Sequence, residues 1–372
     1  MLSDVSADGT RVVYISTKDD SDIWGVSLEN GKEFQVTSDI GVEFWPDVSI
    51  NGTIAYQAIK QISIGDKLLT CELFAQQISG ETRLVQFSKN GFYPRWSPDG
   101  KKIAFLQSDS ADNSLWIASG TGGDARRFTE GGVRFGGYAT LPYSRVQTQD
   151  LQWSPDNSSL VYVAVRSGVS NIWRVAADGS GETQLTNNQD AKLLYFNPLL
   201  TPDGKGLVWL AMDLSNPKAR TWGIWSLRNG NAEEIYRSDG TLRIMGWAQT
   251  GNELIVTSVE NKQELSPFPV DVSLLKVSAA GGQAQPIATL KAVYFNNIRL
   301  SPDSRTIAFV ERPDGSDTIR IMSLADRTQK TVTQSNDSRV YFSSLAFSPD
   351  SKSLYYGKQA NWQVISMVSN FK

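Results

Sequence analysis

One turn-and-strand signature, repeated along the whole chain, leaves few ways for it to fold. A Ser/Thr-Pro-Asp-Gly-like turn followed by a short apolar run occurs eight times in 372 residues: SADGTRVVYIS from Ser6, SINGTIAYQA from Ser49, SPDGKKIAFLQ from Ser97, SPDNSSLVYVA from Ser154, TPDGKGLVWLA from Thr201, AQTGNELIVTS from Ala248, SPDSRTIAFVE from Ser301 and SPDSKSLYYGK from Ser348. The spacings between these anchors are 43, 48, 57, 47, 47, 53 and 47 residues, one period with insertions. A period of that length means similar units, each burying its apolar face against the next.

Each unit continues with a second apolar element, as at Ile23-Trp24, Leu73-Phe74, Leu115-Trp116, Ile172-Trp173, Ile224-Trp225, Leu274-Leu275 and Ile319-Arg320. A glycine or polar turn such as Asp178-Gly179-Ser180-Gly181 follows, then a short run like Gln184-Leu185-Thr186 or Thr331-Val332-Thr333. Brief β-branched and aromatic runs bounded by Gly, Asn, Asp and Pro read as strands, so one repeat is four antiparallel strands, A to D. One and three residues before the anchor the chain is apolar, as at Trp96 and Pro94, Trp153 and Leu151, and Leu200 and Pro198. Two residues before it stand Asp4, Asp47, Arg95, Gln152, Leu199, Gly246, Arg299 and Ala346. Period-two alternation sends the first set between sheets and the second to another face, which in a ring of small sheets lines the central channel.

The units SPDGKKIAF…LWIA…RRFT and SPDNSSLVYV…IWRVAADGSGETQLT resemble the PD40 repeats of TolB-like β-propellers, which are related to WD40 propellers. The resemblance covers nearly the full chain and implies an all-β fold: an eight-bladed β-propeller of four-stranded antiparallel blades, with seven blades as the alternative. The chain then forms one domain, 1–372, with repeats starting near 1, 44, 92, 149, 196, 243, 296 and 343. The eighth repeat ends after its third strand, Trp362 to Met367, with only Val368 to Lys372 remaining. Related propellers close their last blade with an N-terminal strand, so the expected donor lies upstream of Met1 and the chain is expected to be a fragment of a longer protein.

Composition narrows the chemistry. With 36 Lys+Arg against 39 Asp+Glu the formal net charge is −3, which offers no electrostatic footprint for nucleic acid. No stretch reaches the roughly 18 apolar residues of a spanning helix. A single cysteine, Cys71, allows neither an intramolecular disulfide nor a thiolate zinc site. Histidine is absent, which removes Ser-His-Asp and Cys-His triads and imidazole metal sites. The expectation is a non-enzymatic, monomeric propeller without a cofactor, any activity residing in a domain beyond this chain.

The candidate binding residues fall into two groups. Strands alternate in direction, so B–C and D–A connections leave one face of the ring, and the long connections, 59–70, 130–149, 212–221 and 260–271, are all of these kinds. The segment from Gly131 to Arg145 sets Arg134, Phe135, Tyr138, Tyr143 and Arg145, types enriched at interface hot spots, among glycines. The second group is the channel set Asp4, Asp47, Arg95, Gln152 and Arg299, which suits a cation or a small polar ligand. The repeated Asp8, Asp99, Asp156, Asp203, Asp303 and Asp350 read as turn-formers. Trp24, Trp116, Trp173 and Trp225 read as inter-blade core, and Cys71 as a small core residue.

The resemblance implies a protein or peptide partner bound through the long-loop face, as in the TolB propeller, a protein-interaction scaffold of the cell envelope. It also covers PD40 sensor propellers that follow kinase or winged-helix regulator domains. It implies periplasmic or extracytoplasmic placement, although one cysteine suits the cytoplasm equally. Two alternatives stand beside it. One is an accessory propeller gating substrate for a larger S9- or tricorn-like hydrolase. The other is a small-ligand or carbohydrate-binding propeller, for which the metal-site histidines of oligogalacturonate lyases are missing here.

Overall fold

A computed structural model describes residues 3–5, 11–38, 41–59, 71–78, 85–88, 90–109, 112–129, 132–133, 151–216, 220–260 and 268–369. Within them the chain is all-β and folds into seven four-stranded antiparallel blades. Blades I to VI span residues 42–88, 91–127, 151–184, 193–238, 241–290 and 293–334. One sixteen-residue strand, Gln285–Leu300, is the outer strand of blade V over its first half and the inner strand of blade VI over its second.

The repeat signature has a local cause. In the turns at Ser97, Ser154, Thr201, Ser301 and Ser348 the anchor hydroxyl donates to the aspartate two residues on, at 2.6–2.7 Å. The same oxygen accepts the backbone N–H five residues on, at 2.7–3.0 Å. The aspartate accepts a further N–H two residues beyond itself, at 3.0–3.1 Å. These bonds satisfy the polar groups of a turn that reverses the chain within four to six residues.

The eight signatures yield seven blades because the two end repeats supply half a blade each. Blade VII takes its A and B strands from Val340–Phe347 and Ser353–Ser369, and its C and D strands from Arg11–Ser27 and Glu33–Gln35. Arg11–Ser27 pairs with Ser353–Ser369 over seventeen residues, from Arg11 opposite Ser369 to Ser27 opposite Ser353. Of the two blade counts expected, seven holds and eight does not, and the strand that completes the last blade comes from this chain, not from upstream of Met1. A B–C turn at either end would divide these strands. A tight hairpin needs residues at positive φ, as Ser167 (52°) and Gly168 (78°) provide in blade III, and neither TKDDSD at 17–22 nor KQANWQ at 358–363 contains a glycine.

The ring is sealed by apolar side chains between neighbouring blades. Blade I meets blade II through Leu73, Ala75, Ile103 and Phe105, and blade III meets blade IV through Val161, Ile172, Leu207 and Trp209. Blade VII closes on blade I through Ile23, Ile54, Tyr56 and Tyr355. Trp24, Trp116, Trp173 and Trp225 are half-buried and pack on these inter-blade clusters, and Cys71 is buried within one.

Candidate functional site

The inner strands do not keep strict alternation. A bulge interrupts their pairing between Phe44 and Asp47, Phe92 and Arg95, Phe196 and Leu199, and Ser343 and Ala346. Four residues before each anchor, Trp45, Tyr93, Asn197 and Ser344 adopt φ of 51–56°. In three of these strands the next residue is Pro46, Pro94 or Pro198, which has no N–H to give the ladder, so pairing slips by a residue there. Two residues before the anchor, Asp47, Arg95, Leu199 and Ala346 face the ring axis, while one before it Val48 and Leu200 pack between blades and Trp96 and Phe347 reach the axis as well.

There they enclose a cavity of about 400 Å³ to which every blade contributes, through Asp47, Arg95, Gln152, Leu199, Met245, Arg299 and Leu345 in blade order. Pro98 and Pro302 border it, so it opens on the face of the A–B turns. Asp47, Arg95, Gln152 and Arg299 are thus brought together. Asp4 is not with them: Ser3–Val5 pairs with Arg11–Ser27, whose other edge is taken by Ser353–Ser369, so it lies off the ring of innermost strands. Repeat one gives its later strands to blade VII, and the axial place belongs to Val340–Phe347.

Two of the polar residues tie blades together. Asp47 accepts the N–H of Trp96 from blade II at 2.7 Å, and Gln152 accepts that of Leu200 from blade IV at 2.9 Å. The indoles reach back, Trp96 to the Asp47 carbonyl at 3.1 Å and Trp153 to the Arg95 carbonyl at 3.0 Å. Burial raises the Asp47 carboxyl above its ordinary range, while the Arg95 charge and the Trp96 N–H pull it back.

Among the described residues, two arginines and one aspartate carry the charge of the lining. Arg95 donates to the Pro94 carbonyl at 2.8 Å and Arg299 to the Ile298 carbonyl at 2.7 Å. Arg299 is only 8% exposed. Burial holds its guanidinium well below the usual arginine range, and the charges of Arg243 and Arg95 press the same way. Arg243, which the sequence reading passed over, donates to the Phe295 carbonyl at 3.1 Å and the Asn296 side chain at 3.3 Å. It stands five residues before its anchor, outside the step of two that identified the others.

The opposite face carries the length. A–B turns are four to six residues long, while the connections of ten residues or more, at 60–70, 128–150 and 260–269, all join B to C or D to A. Arg134, Phe135, Tyr138, Tyr143 and Arg145 lie outside the described residues. The root of their loop is fixed: Gly132 accepts the Val165 N–H at 2.8 Å, Val133 donates to the Asn113 carbonyl at 3.1 Å, and the Val133 side chain is buried between blades II and III. Gly132 has φ of 69°, and a Cβ there would stand 2.9 Å from the Val165 carbonyl oxygen.

The model of the dipeptidyl peptidase IV (DPP IV) N-terminal region matches residues 63–198. The Tol-Pal system protein TolB of Anaeromyxobacter dehalogenans is 34% identical over 121 residues, 32% of this chain and 25% of that protein. An uncharacterized peptidase of Bacillus subtilis, YuxL, is 30% identical over 129 residues, 34% of this chain and 18% of that protein. The chain therefore matches a quarter or less of the length of these two relatives. In structure it is similar to the β-propeller domain of the Trilobed protease from Pyrococcus furiosus, with a TM-score of 0.60 and 14% identity over 89% of this chain and 98% of that one. Seven radial blades around an axial cavity define a β-propeller. More narrowly, the chain is similar to TolB over about a third of its length and to the dipeptidyl peptidase IV N-terminal region over residues 63–198.

Proposed function

We propose that this chain is a non-catalytic binding module that recognises a protein or peptide partner through the face of long B–C and D–A connections. The observation that carries this reading is the one-sided elaboration of the ring, together with the rooted stem of the 131–145 segment. Loops held by a rigid scaffold are where recognition residues concentrate. Arg134, Phe135, Tyr138, Tyr143 and Arg145 are the proposed contacts, aromatic and arginine anchors of the kind that dominate interface energies. The name of the TolB relative, a Tol-Pal system protein, supports a role within a protein assembly and placement outside the cytoplasm.

A second reading draws on the DPP IV N-terminal match: a propeller that orients substrate for a peptidase domain. One experiment separates the two. The intact chain and a variant with 134–148 replaced by a short linker are used as bait in extract of the source organism, with circular dichroism confirming that both fold. A partner held by the intact chain and lost by the variant supports the binding module. A peptidase held equally by both supports the accessory role, and capture of nothing by either folded bait overturns the binding reading.

A further inference from the structure

A second cavity, of about 620 Å³, lies away from the axis, between blades V and VI at the A–B-turn end. Residues 248–250, in the A–B turn of blade V, line its inner end, and residues 285–287, on that blade's outermost strand, line the other. From its A to its D strand the blade has three strand intervals of about 4.8 Å, so the cavity is a groove about 14 Å long. The facing wall is blade VI, through its A–B turn at 304–306 and its C–D turn at 323–327. Ile255, Ile287 and Leu324 make an apolar floor that continues the cluster between the two blades. Lys276 is paired with Glu253 at 3.2 Å, which leaves Arg305 and Arg327 as the remaining charges of the lining. Among the described residues no hydrogen bond or ion pair holds either guanidinium. The carboxylates beside them in sequence are engaged by their own turns: Asp303 accepts the Ser301 hydroxyl at 2.6 Å and the Arg305 N–H at 3.1 Å, and Asp326 accepts the Thr328 hydroxyl at 2.8 Å. Neither lines the groove.

Arg327 also stands where the backbone favours glycine. The C–D turns of blades II, III, IV, V and VII each hold a glycine at φ of 72–87°: Gly122, Gly179, Gly230, Gly281 and Gly31. Blade VI closes the same turn as blade VII. Its Ser323 N–H bonds the Thr328 carbonyl and its Arg327 N–H the Ser323 carbonyl, both at 2.9 Å, where blade VII uses Ser27, Lys32 and Gly31. Arg327 takes φ of 63° at the glycine position. The turn itself gains nothing from a side chain there, so the cost of the left-handed backbone is offset by what the guanidinium does outside the turn.

We propose that the groove between blades V and VI docks an extended acidic segment of a partner protein, with carboxylates on Arg305 and Arg327 and an aliphatic side chain on the floor of Ile255, Ile287 and Leu324. Alternate residues of an extended strand face one way, and its first, third and fifth residues span about 14 Å, the length of the groove. Arg305 and Arg327 stand on different turns, which suits carboxylates on separate residues, and the apolar floor rewards a side chain that an inorganic anion lacks. The groove lies at the end of the ring opposite the long connections, so this assignment and the long-loop one stand or fall separately.

Fluorescence anisotropy on the full chain tests it with a labelled, capped pentapeptide that carries glutamate, leucine and glutamate at its first, third and fifth positions and serine between them. This peptide is expected to bind, and replacing both glutamates by glutamine should weaken it about tenfold or more, since two charge-assisted pairs are lost. Replacing the leucine by serine should weaken it severalfold. Arg327→Gly suits the turn, so the fold is kept, yet it should bind the peptide about tenfold more weakly, as should Arg305→Gln. Arg327→Lys should retain part of the affinity. Arg228→Gln, at an exposed place on blade IV, should leave binding unchanged. Urea midpoints verify that every variant is folded. Equal affinity for the glutamate and glutamine peptides, or for the leucine and serine ones, overturns the proposal. So does displacement by inorganic sulfate as readily as by unlabelled peptide, parent-like binding by Arg327→Gly or Arg305→Gln, an equal loss in Arg228→Gln, or no binding up to about 1 mM.

Discussion

At the residue scale the repeated aspartates explain themselves. Asp8 lies outside the described residues; each of the others closes its own turn, and the reading of Asp99, Asp156, Asp203, Asp303 and Asp350 as turn-formers follows from the chemistry of Ser-Pro-Asp alone. Four carboxyls respond accordingly: hydrogen bonds from Ser154 and Ser158 lower Asp156 from 3.8 to about 2, and Asp99, Asp203 and Asp350 are lowered by their own turns. A carboxyl whose folded value is depressed stabilises the fold above its unfolded value and loses that contribution as pH falls through the folded one. Asp156→Asn should therefore be less stable than the parent at pH 7. The gap should narrow from 3.8 downward and close near about 2, measured as urea midpoints across pH. Ser154→Ala removes both the donor to Asp156 and the acceptor of the Ser159 N–H, and should cost about 1 kcal/mol in the same assay.

At the element scale the strands were legible and their irregularity was not. Short β-branched runs between turn residues identify the strands, but period-two alternation assumes an unbroken ladder. The signal that breaks it was present as Pro46, Pro94 and Pro198, which look merely apolar until the missing N–H is counted. With the bulge included, Trp96 and Arg95 face the same cavity. Blades are also tied at their opposite ends. In blade VI Asp317 is fully buried, takes Arg312 at 2.6 Å and accepts the Phe342 N–H of blade VII at 2.7 Å. Arg312 stacks on Tyr341 of blade VII, 4.5 Å from its ring centre, and donates to the Ser338 carbonyl. Removing one member of a buried pair strands the other, so Asp317→Ala should destabilise by about 3–5 kcal/mol. Asp317→Asn, which keeps an acceptor for Phe342, should lose less, and equal losses in denaturant titrations would show that the charge is immaterial.

At the scale of the whole molecule, counting signatures overstates the number of blades because a ring has to close. A chain that began and ended at blade boundaries would leave its first and last sheets joined only by side chains. Here the two end repeats share one blade, held by a seventeen-residue ladder between Arg11–Ser27 and Ser353–Ser369. No local signal states that pairing, since the partners stand at opposite ends of the sequence, and the only hint is the absence of glycine where a B–C turn would have to form. The topology predicts a permutation. Arg11 lies opposite Ser369, so a two-residue turn joining Ser369 to Arg11 converts the ladder into a hairpin, and new termini placed between Gln35 and Val42 cut no strand. The permuted chain should keep the association state of the parent and unfold in one cooperative transition near that of the parent. A chain lacking residues 1–35 instead exposes the edge of Ser353–Ser369, and should melt lower and self-associate through that unpaired strand. Thermal melts and light scattering on the three chains read both effects. A permuted chain that fails to fold, or a truncated one that matches the parent, would show that the ring closes in some other way.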